Sequence, residues 1–133
     1  MLMKNSPRKK LIKKLDTVFS EYIRRRTADH KGTVECFTCG KKDHWKKMQC
    51  GHFQSRKFYS TRWDKDNCQV QCVGCNMFKG GEQYKFGLKL NMQYGENKAE
   101  NLYLLAKKTK KFNNFDLQEM IEEFTRLNAS LTS

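Results

Sequence analysis

Three observations predict an α+β fold with a small two-stranded centre. Two Cys-x-x-Cys pairs bracket a stretch with short alternating segments, helical periodicity precedes that stretch, and helical periodicity follows it. At 133 residues the chain suits a single domain, 1–133. Only 38% of its residues are hydrophobic and mean hydropathy is -0.88, so the core is modest and a structural metal would help to tie it together.

The first element is a basic helix within residues 1–30. Leu11, Ile12, Leu15, Val18, Phe19, Tyr22 and Ile23 recur at helical spacing from Pro7 to about Asp29, with Pro7 in the first turn. Its apolar side is expected to pack on the core, while Lys9, Lys10, Lys13, Arg24, Arg25 and Arg26 could lie against phosphates. Residues 33–80 form the expected zinc and chemical core, with strands near Met48 to Phe53 and Cys68 to Cys72 joined by a long loop from Gln54 to Asp66. Residues 81–133 turn helical again. Tyr84, Leu88 and Met92 share one face, followed by Leu102, Leu104 and Leu105, and then by Leu117, Met120, Ile121, Phe124 and Leu127. Gly80, Gly81, Gly95 and Asn113-Asn114 punctuate these two or three helices.

Lysine and arginine number 27 against 14 acids, a formal charge of +13 spread along the chain. The expected partner is a polyanion, nucleic acid ahead of an anionic membrane surface. No stretch of about 18 apolar residues and no secretory pattern occur, so no membrane partner is expected and the expected location is the cytoplasm. Thiols stay reduced there, and six cysteines then point to metal rather than to disulfides.

Cys36-Phe-Thr-Cys39 and Cys72-Val-Gly-Cys75 can each direct two thiolates at one tetrahedral ion, at about 2.3 Å per Zn–S bond. Four thiolates fill the shell, so this zinc is structural and not catalytic. Cys50 and Cys68 are left over. On strands Cys50 would share a face with Met48 and His52, and Cys68 with Val70 and Cys72, so both would pack as small apolar residues, with metal ligation as the other reading.

Between and just beyond the Cys pairs stand His52, Asn67 and Asn76. Phosphodiester cleavage needs an activated water, neutralised phosphoryl charge and a stabilised leaving alkoxide. A neutral imidazole can take the water proton at physiological pH, which makes His52 the candidate base. The plain alternatives are a fifth zinc-type ligand and a buried histidine donating to backbone. His30 and His44, beside Asp29 and Asp43, are expected to be ordinary surface residues.

The strings CFTCG, CGHFQSR, RWDKDN and QCVGCNMFKGG, with Tyr84 and Gly95 after them, resemble the phage NinG (Rap) recombination endonucleases over roughly residues 12 to 105. The resemblance implies a zinc-stabilised ββα-metal (HNH-like) core with flanking N- and C-terminal helices, cutting branched recombination intermediates such as D-loops and Holliday junctions. His52 would activate water, Asn67 would hold the loop that positions the site, and Asn76 would replace the last HNH histidine. His52 and Asn76 would hold a catalytic Mg²⁺ or Mn²⁺. Arg56, Lys57, Arg62 and Lys79 would face phosphates, and symmetric junction cleavage would suit a homodimer. Phe58, Tyr59 and Trp63 in the long loop would either insert at unpaired bases or pack.

Two departures stand out. Many HNH enzymes carry Asp just before the first His, where this chain has Gly51, and Gln49 stands where some relatives have a carboxylate. Asp64, Asp66 or Glu82 could supply the missing oxygen ligand. The same residues also fit a non-catalytic zinc-dependent DNA-binding module, or a sequence-specific HNH endonuclease, which would usually carry an additional reading domain.

Overall fold

The computed structural model describes residues 6–131; the start of the expected basic segment, residues 1–5, and the last two residues lie outside them. Ser6 caps the first helix, its Oγ accepting the Lys9 amide at 3.2 Å, and Pro7 takes the first helical position, where a missing N–H costs nothing. This helix, α1, spans Pro7–Arg25. It stops short of Asp29 because the Asp29 carboxylate accepts the amides of Lys31 and Thr33, both at 2.9 Å, offering the backbone a turn in place of a helix.

A hairpin not expected from the sequence follows, β1 (Thr33–Glu35) paired antiparallel with β2 (Lys42–His44). Three residues per strand are too few to show alternation. The expected strand pair is present as β3 (Gln49–His52) and β4 (Cys68–Gln71), with Cys50 opposite Val70 and His52 opposite Cys68. The loop between them carries a single helical turn, α2 (Tyr59–Arg62). After β4 the chain makes a π-helical turn, Gly74–Phe78, and then breaks at Gly80, Gly81 and Glu82, all at positive φ.

Helix α3 (Gln83–Tyr94) presents a different face from the one expected. Tyr84 and Met92 are 80% and 83% exposed, whereas Phe86 and Leu90 are buried. Gly87 explains the choice: a side chain there would crowd the Phe53 ring, so the glycine lets that ring settle against α3. Phe86, Leu90 and Leu102 of α4 (Lys98–Ala106) make a small core with Phe37 and Phe53. The last helix, α5 (Asn114–Ser130), opens with a capping box in which the Asn113 side chain accepts the Asp116 amide and the Asp116 carboxylate accepts the Asn113 amide. Leu117, Ile121 and Phe124 of α5 pack on Leu15, Phe19 and Ile23 of α1, with Trp63 and Cys68 in the same core. Leu104, in contrast, is half exposed. Among the described residues no helix is long and apolar enough to cross a membrane.

The described residues therefore form a mixed α+β structure with two small antiparallel sheets. Helix α1 lies against β3 and β4 on one side and α5 on the other. That contact forms one wall of the cleft described next.

Candidate metal centre and cleft

The β1–β2 connection and the start of the π turn bring the two Cys pairs together. The four Sγ atoms of Cys36, Cys39, Cys72 and Cys75 lie within 4.8 Å of one another, with Cys39 and Cys72 at 3.7 Å. Gly40, at φ +80°, turns the chain back after Cys39 so that its amide can bond the Cys36 carbonyl at 2.9 Å. Polar groups reach the sulfurs: the Cys75 amide points at Cys72 Sγ at 3.4 Å, and the Thr38 hydroxyl lies 3.4 Å from Cys36 Sγ. Burial works against ionisation of Cys36, but the Thr38 hydroxyl and the amides of Cys72, Cys39 and Thr38 outweigh it and lower its pKa to about 6. Burial, offset in part by Thr38, and the adjoining thiols push Cys75 up to about 12. Four such sulfurs cannot all ionise unaided, and a divalent cation at their centre supplies the missing positive charge. The donor set and its packing thus fit a structural zinc, with no position left for substrate.

Thr38 links this cluster to the rest of the fold. Gln71, fully buried, donates to Thr38 Oγ1 at 3.0 Å and to the Gly81 carbonyl at 2.9 Å. A side chain at position 51 would overlap Gln71, so β3 has no room there for the aspartate that many HNH enzymes carry. Gly51 is a packing requirement of this chain.

A cleft of about 520 Å³ lies between α1 and β3, lined among others by Lys13, Asp16, Gln49, His52, Arg56 and Asn76. His52 sits on its wall with Nε2 at 3.0 Å from the Arg62 carbonyl. A carbonyl can only accept, so Nε2 carries the proton and the lone pair resides on Nδ1. Burial holds the imidazole below its usual pKa, and Arg56 adds to this; the Arg62 carbonyl and Asp16 act in the opposite sense. The ring is neutral at pH 7. Asn76, on the π turn, donates from Nδ2 to Gln49 Oε1 at 2.7 Å, which leaves its Oδ1 as an acceptor.

Asn67 does not reach the cleft. It is fully buried and ties the loop: Oδ1 accepts the Gln54 amide at 2.7 Å, and Nδ2 donates to the carbonyls of Gln54 at 3.1 Å and Thr61 at 3.0 Å. Of the three acids that could have supplied an oxygen ligand, none lines the cleft. Asp64 accepts the amides of Asp66 and Asn67, Asp66 pairs with Lys98 at 2.6 Å, and Glu82 pairs with Lys85 at 3.7 Å. The carboxylate in the cleft is Asp16, from α1. Burial alone would raise it, but hydrogen bonds from Arg62 and Trp63 and the charges of Arg62 and Arg56 outweigh this and hold it below the usual carboxylate range. Its signal in the sequence is that it is the first acid of a run otherwise rich in lysine.

The basic residues divide in two. Arg62 is mostly buried and committed to Asp16, with Nη2 to Oδ2 at 2.6 Å and Nε to Oδ1 at 3.1 Å, so it braces the cleft and is not free to meet a phosphate. Arg24 and Arg25 lie over the Trp45 ring, and Arg26 donates to the carbonyls of Lys65 and Cys68. These three are likewise spent on the fold. Arg56 is exposed although it reaches Asp16 at 2.9 Å, and Lys57 and Lys79 are exposed. Trp63 is 5% exposed and donates to Asp16 at 2.9 Å, so of the loop aromatics it packs and cannot insert into a nucleic acid. Tyr59 packs partly on Trp63 at a ring separation of 5.5 Å. Phe58 lies between Lys57 and Lys107, each Nζ 5.1 Å from its ring.

A search of curated proteins and a search of solved structures each return no match. Among family models, the one described as Bacteriophage Lambda NinG protein matches residues 2–132. Since that match takes in the cysteine cluster, the cleft and every helix of the fold, the chain belongs to the Bacteriophage Lambda NinG protein family.

Proposed function

We propose that this chain is a metal-dependent DNA endonuclease that hydrolyses phosphodiester bonds in branched recombination intermediates, D-loops and Holliday junctions, in the bacterial cytoplasm during phage or prophage growth. The observation that carries the reading is His52: a neutral imidazole in an open basic cleft, its tautomer set by the Arg62 carbonyl so that Nδ1 is the base. In this reading Nδ1 takes the proton of the attacking water. Lys13 and Arg56 line the cleft and draw in the phosphate, while Lys57 and Lys79 extend the basic surface.

The cleft offers a hard ion Asn76 Oδ1, Gln49 Oε1 and the carboxylate of Asp16, oxygen donors of the type that Mg²⁺ or Mn²⁺ takes. Such an ion, when bound, would neutralise phosphoryl charge and stabilise the leaving alkoxide. Two of these donors are amides and the third is already paired with Arg62, so affinity for such an ion is expected to be low. Asn67 keeps the loop 54–66 in place and with it the Arg62 carbonyl that orients His52. Cutting both arms of a symmetric junction calls for two such clefts, hence a homodimer on the substrate.

The test is cleavage of a labelled four-way junction and a matched linear duplex by wild type and His52→Ala, with Mg²⁺, with Mn²⁺ and after EDTA. Metal-dependent cutting that favours the junction and disappears in a folded, zinc-loaded His52→Ala supports the reading. Binding of both DNAs without cutting, whatever the ion, overturns it. The second reading, a zinc-dependent DNA-binding module, would then hold, favoured by the pairing of the cleft carboxylate of Asp16 with two arginines.

A further inference from the structure

We propose that Cys50, Cys68 and His52 form a second metal site, taking a zinc-class ion on two thiolates and an imidazole, and that its occupation withdraws His52 from proton transfer in the cleft. The second half of this proposal rests on the nuclease reading above; the first half does not.

The site follows from the register of the β3–β4 pair. His52 stands directly opposite Cys68, and Cys50 precedes His52 by two residues, so all three side chains leave the same face of the hairpin. Their ligand atoms, two Sγ and one ring nitrogen, lie within 4.8 Å of one another, and the cluster shares no residue with the four-cysteine centre. Small side-chain rotations would bring such a set to the roughly 2.3 Å Zn–S and 2.0 Å Zn–N distances of a tetrahedral ion.

The chemistry of the donors selects the ion. Two thiolates and an imidazole favour zinc and its softer relatives over the hard Mg²⁺ or Mn²⁺ that oxygen donors take. Two thiolates also balance a divalent charge, so the loaded site is neutral and suits its place between core and cleft. Cys68 has no exposed surface and lies in the core against α1, whereas Cys50 lines the cleft. Three protein ligands leave a fourth position, and the cleft beside Cys50 and His52 lets water or an anion reach it. Arg24 lines the same cleft beside Cys50. A neutral imidazole has one lone pair, which can serve a proton or an ion and not both. Occupation of the site and general-base action by His52 are therefore mutually exclusive.

Purified wild-type chain, loaded with excess Zn²⁺ and freed of unbound ion, is expected to carry two ions by native mass spectrometry, and Cys50→Ser one. Substitution with ¹¹³Cd identifies the ligands: one resonance from four sulfurs, and a second from two sulfurs and a nitrogen that alone disappears in Cys50→Ser and in Cys68→Ala. A wild type with a single four-sulfur ion, or a folded Cys50→Ser that keeps both resonances, overturns the site. Junction cleavage in Mg²⁺ is then followed as Zn²⁺ rises, reading for each protein the ratio of rates with and without zinc. That ratio is expected to collapse in wild type as the second ion binds and to hold in Cys50→Ser. Equal inhibition of both proteins, or none in a wild type carrying two ions, overturns the link to His52. If no protein cuts with any ion, the nuclease reading fails and the link with it, while the ion count and the cadmium resonances still decide the site.

Discussion

Replacing Asn67 with alanine is expected to loosen the loop that orients His52 while leaving the cysteine cluster intact. Asn67 makes three hydrogen bonds to the backbone of that loop, and its side chain is fully buried. A buried hydrogen bond contributes about 1 kcal/mol net, and an orphaned buried polar group costs about 1–3 kcal/mol. The three are not equal. The Thr61 carbonyl keeps the amides of Trp63 and Asp64, whereas Asn67 is the partner of both the amide and the carbonyl of Gln54. Gln54 is only half-buried, so water recovers part of that loss. The sum is a destabilisation of about 3 kcal/mol, a large share of the roughly 5–15 kcal/mol typical of a domain. Urea unfolding of the zinc-loaded protein, followed by far-ultraviolet circular dichroism and by tryptophan fluorescence, measures it. Trp63 lies in the tied segment and Trp45 beside the other sheet, so the fluorescence change should report the loop first. A loss below about 1 kcal/mol, within the worth of a single ordinary hydrogen bond, would refute the assignment of Asn67 as the loop's main tie.

Gly51→Ala should cost about 1–3 kcal/mol, since its new methyl overlaps the Gln71 side chain, and adding Gln71→Ala should recover part of the loss in a double-mutant cycle. Asp16→Asn should cost about 2–3 kcal/mol at pH 7 through its charged hydrogen bonds to Arg62. Because the carboxyl is held below its unfolded value, its contribution is complete above about pH 4 and lost as pH falls through the folded pKa; the variant should show a shallower decline in stability below pH 4 by denaturant titration. Strong chelation should release zinc and abolish folded structure around Cys36 to Cys75, measured by dye-detected zinc and circular dichroism together. Lys57→Ala and Lys79→Ala should each reduce the slope of log affinity against log salt for duplex DNA by about 0.9, whereas Arg62→Ala should instead lower thermal stability.

The sequence was most legible where one spacing carries one physical meaning. The paired Cys-x-x-Cys motifs, the helical periodicity from Leu11 to Ile23 and that from Leu117 to Phe124 all correspond to what the structure contains. It was least legible where a side chain's role depends on a partner far along the chain. Arg24, Arg26 and Arg62 read as free charges until their acceptors on Trp45, Cys68 and Asp16 are seen. Asp16 reads as an interruption of a basic helix face, and its place in the cleft depends on a loop some 40 residues later. On α3 the stripe Tyr84, Leu88, Met92 and the stripe Phe86, Leu90 both satisfy a helical period. Only Gly87, by admitting Phe53, decides between them. The grouping of Cys50, His52 and Cys68 needed the strand register, which alternation alone does not supply.

The seam between α1 and α5 also governs when the cleft can exist. During synthesis α1 is made first, yet the partners of its Leu15, Phe19 and Ile23 on α5 are made last. Until then the early helix has an apolar face with half its neighbours missing and nothing to press it against β3 and β4. Contacts of such long sequence separation form late and slowly. A nascent or C-terminally shortened chain could complete its cysteine cluster, whose ligands end at Cys75, and still lack a wall for His52 to face. Loss of α5 would thus undo the cleft without removing any residue that lines it.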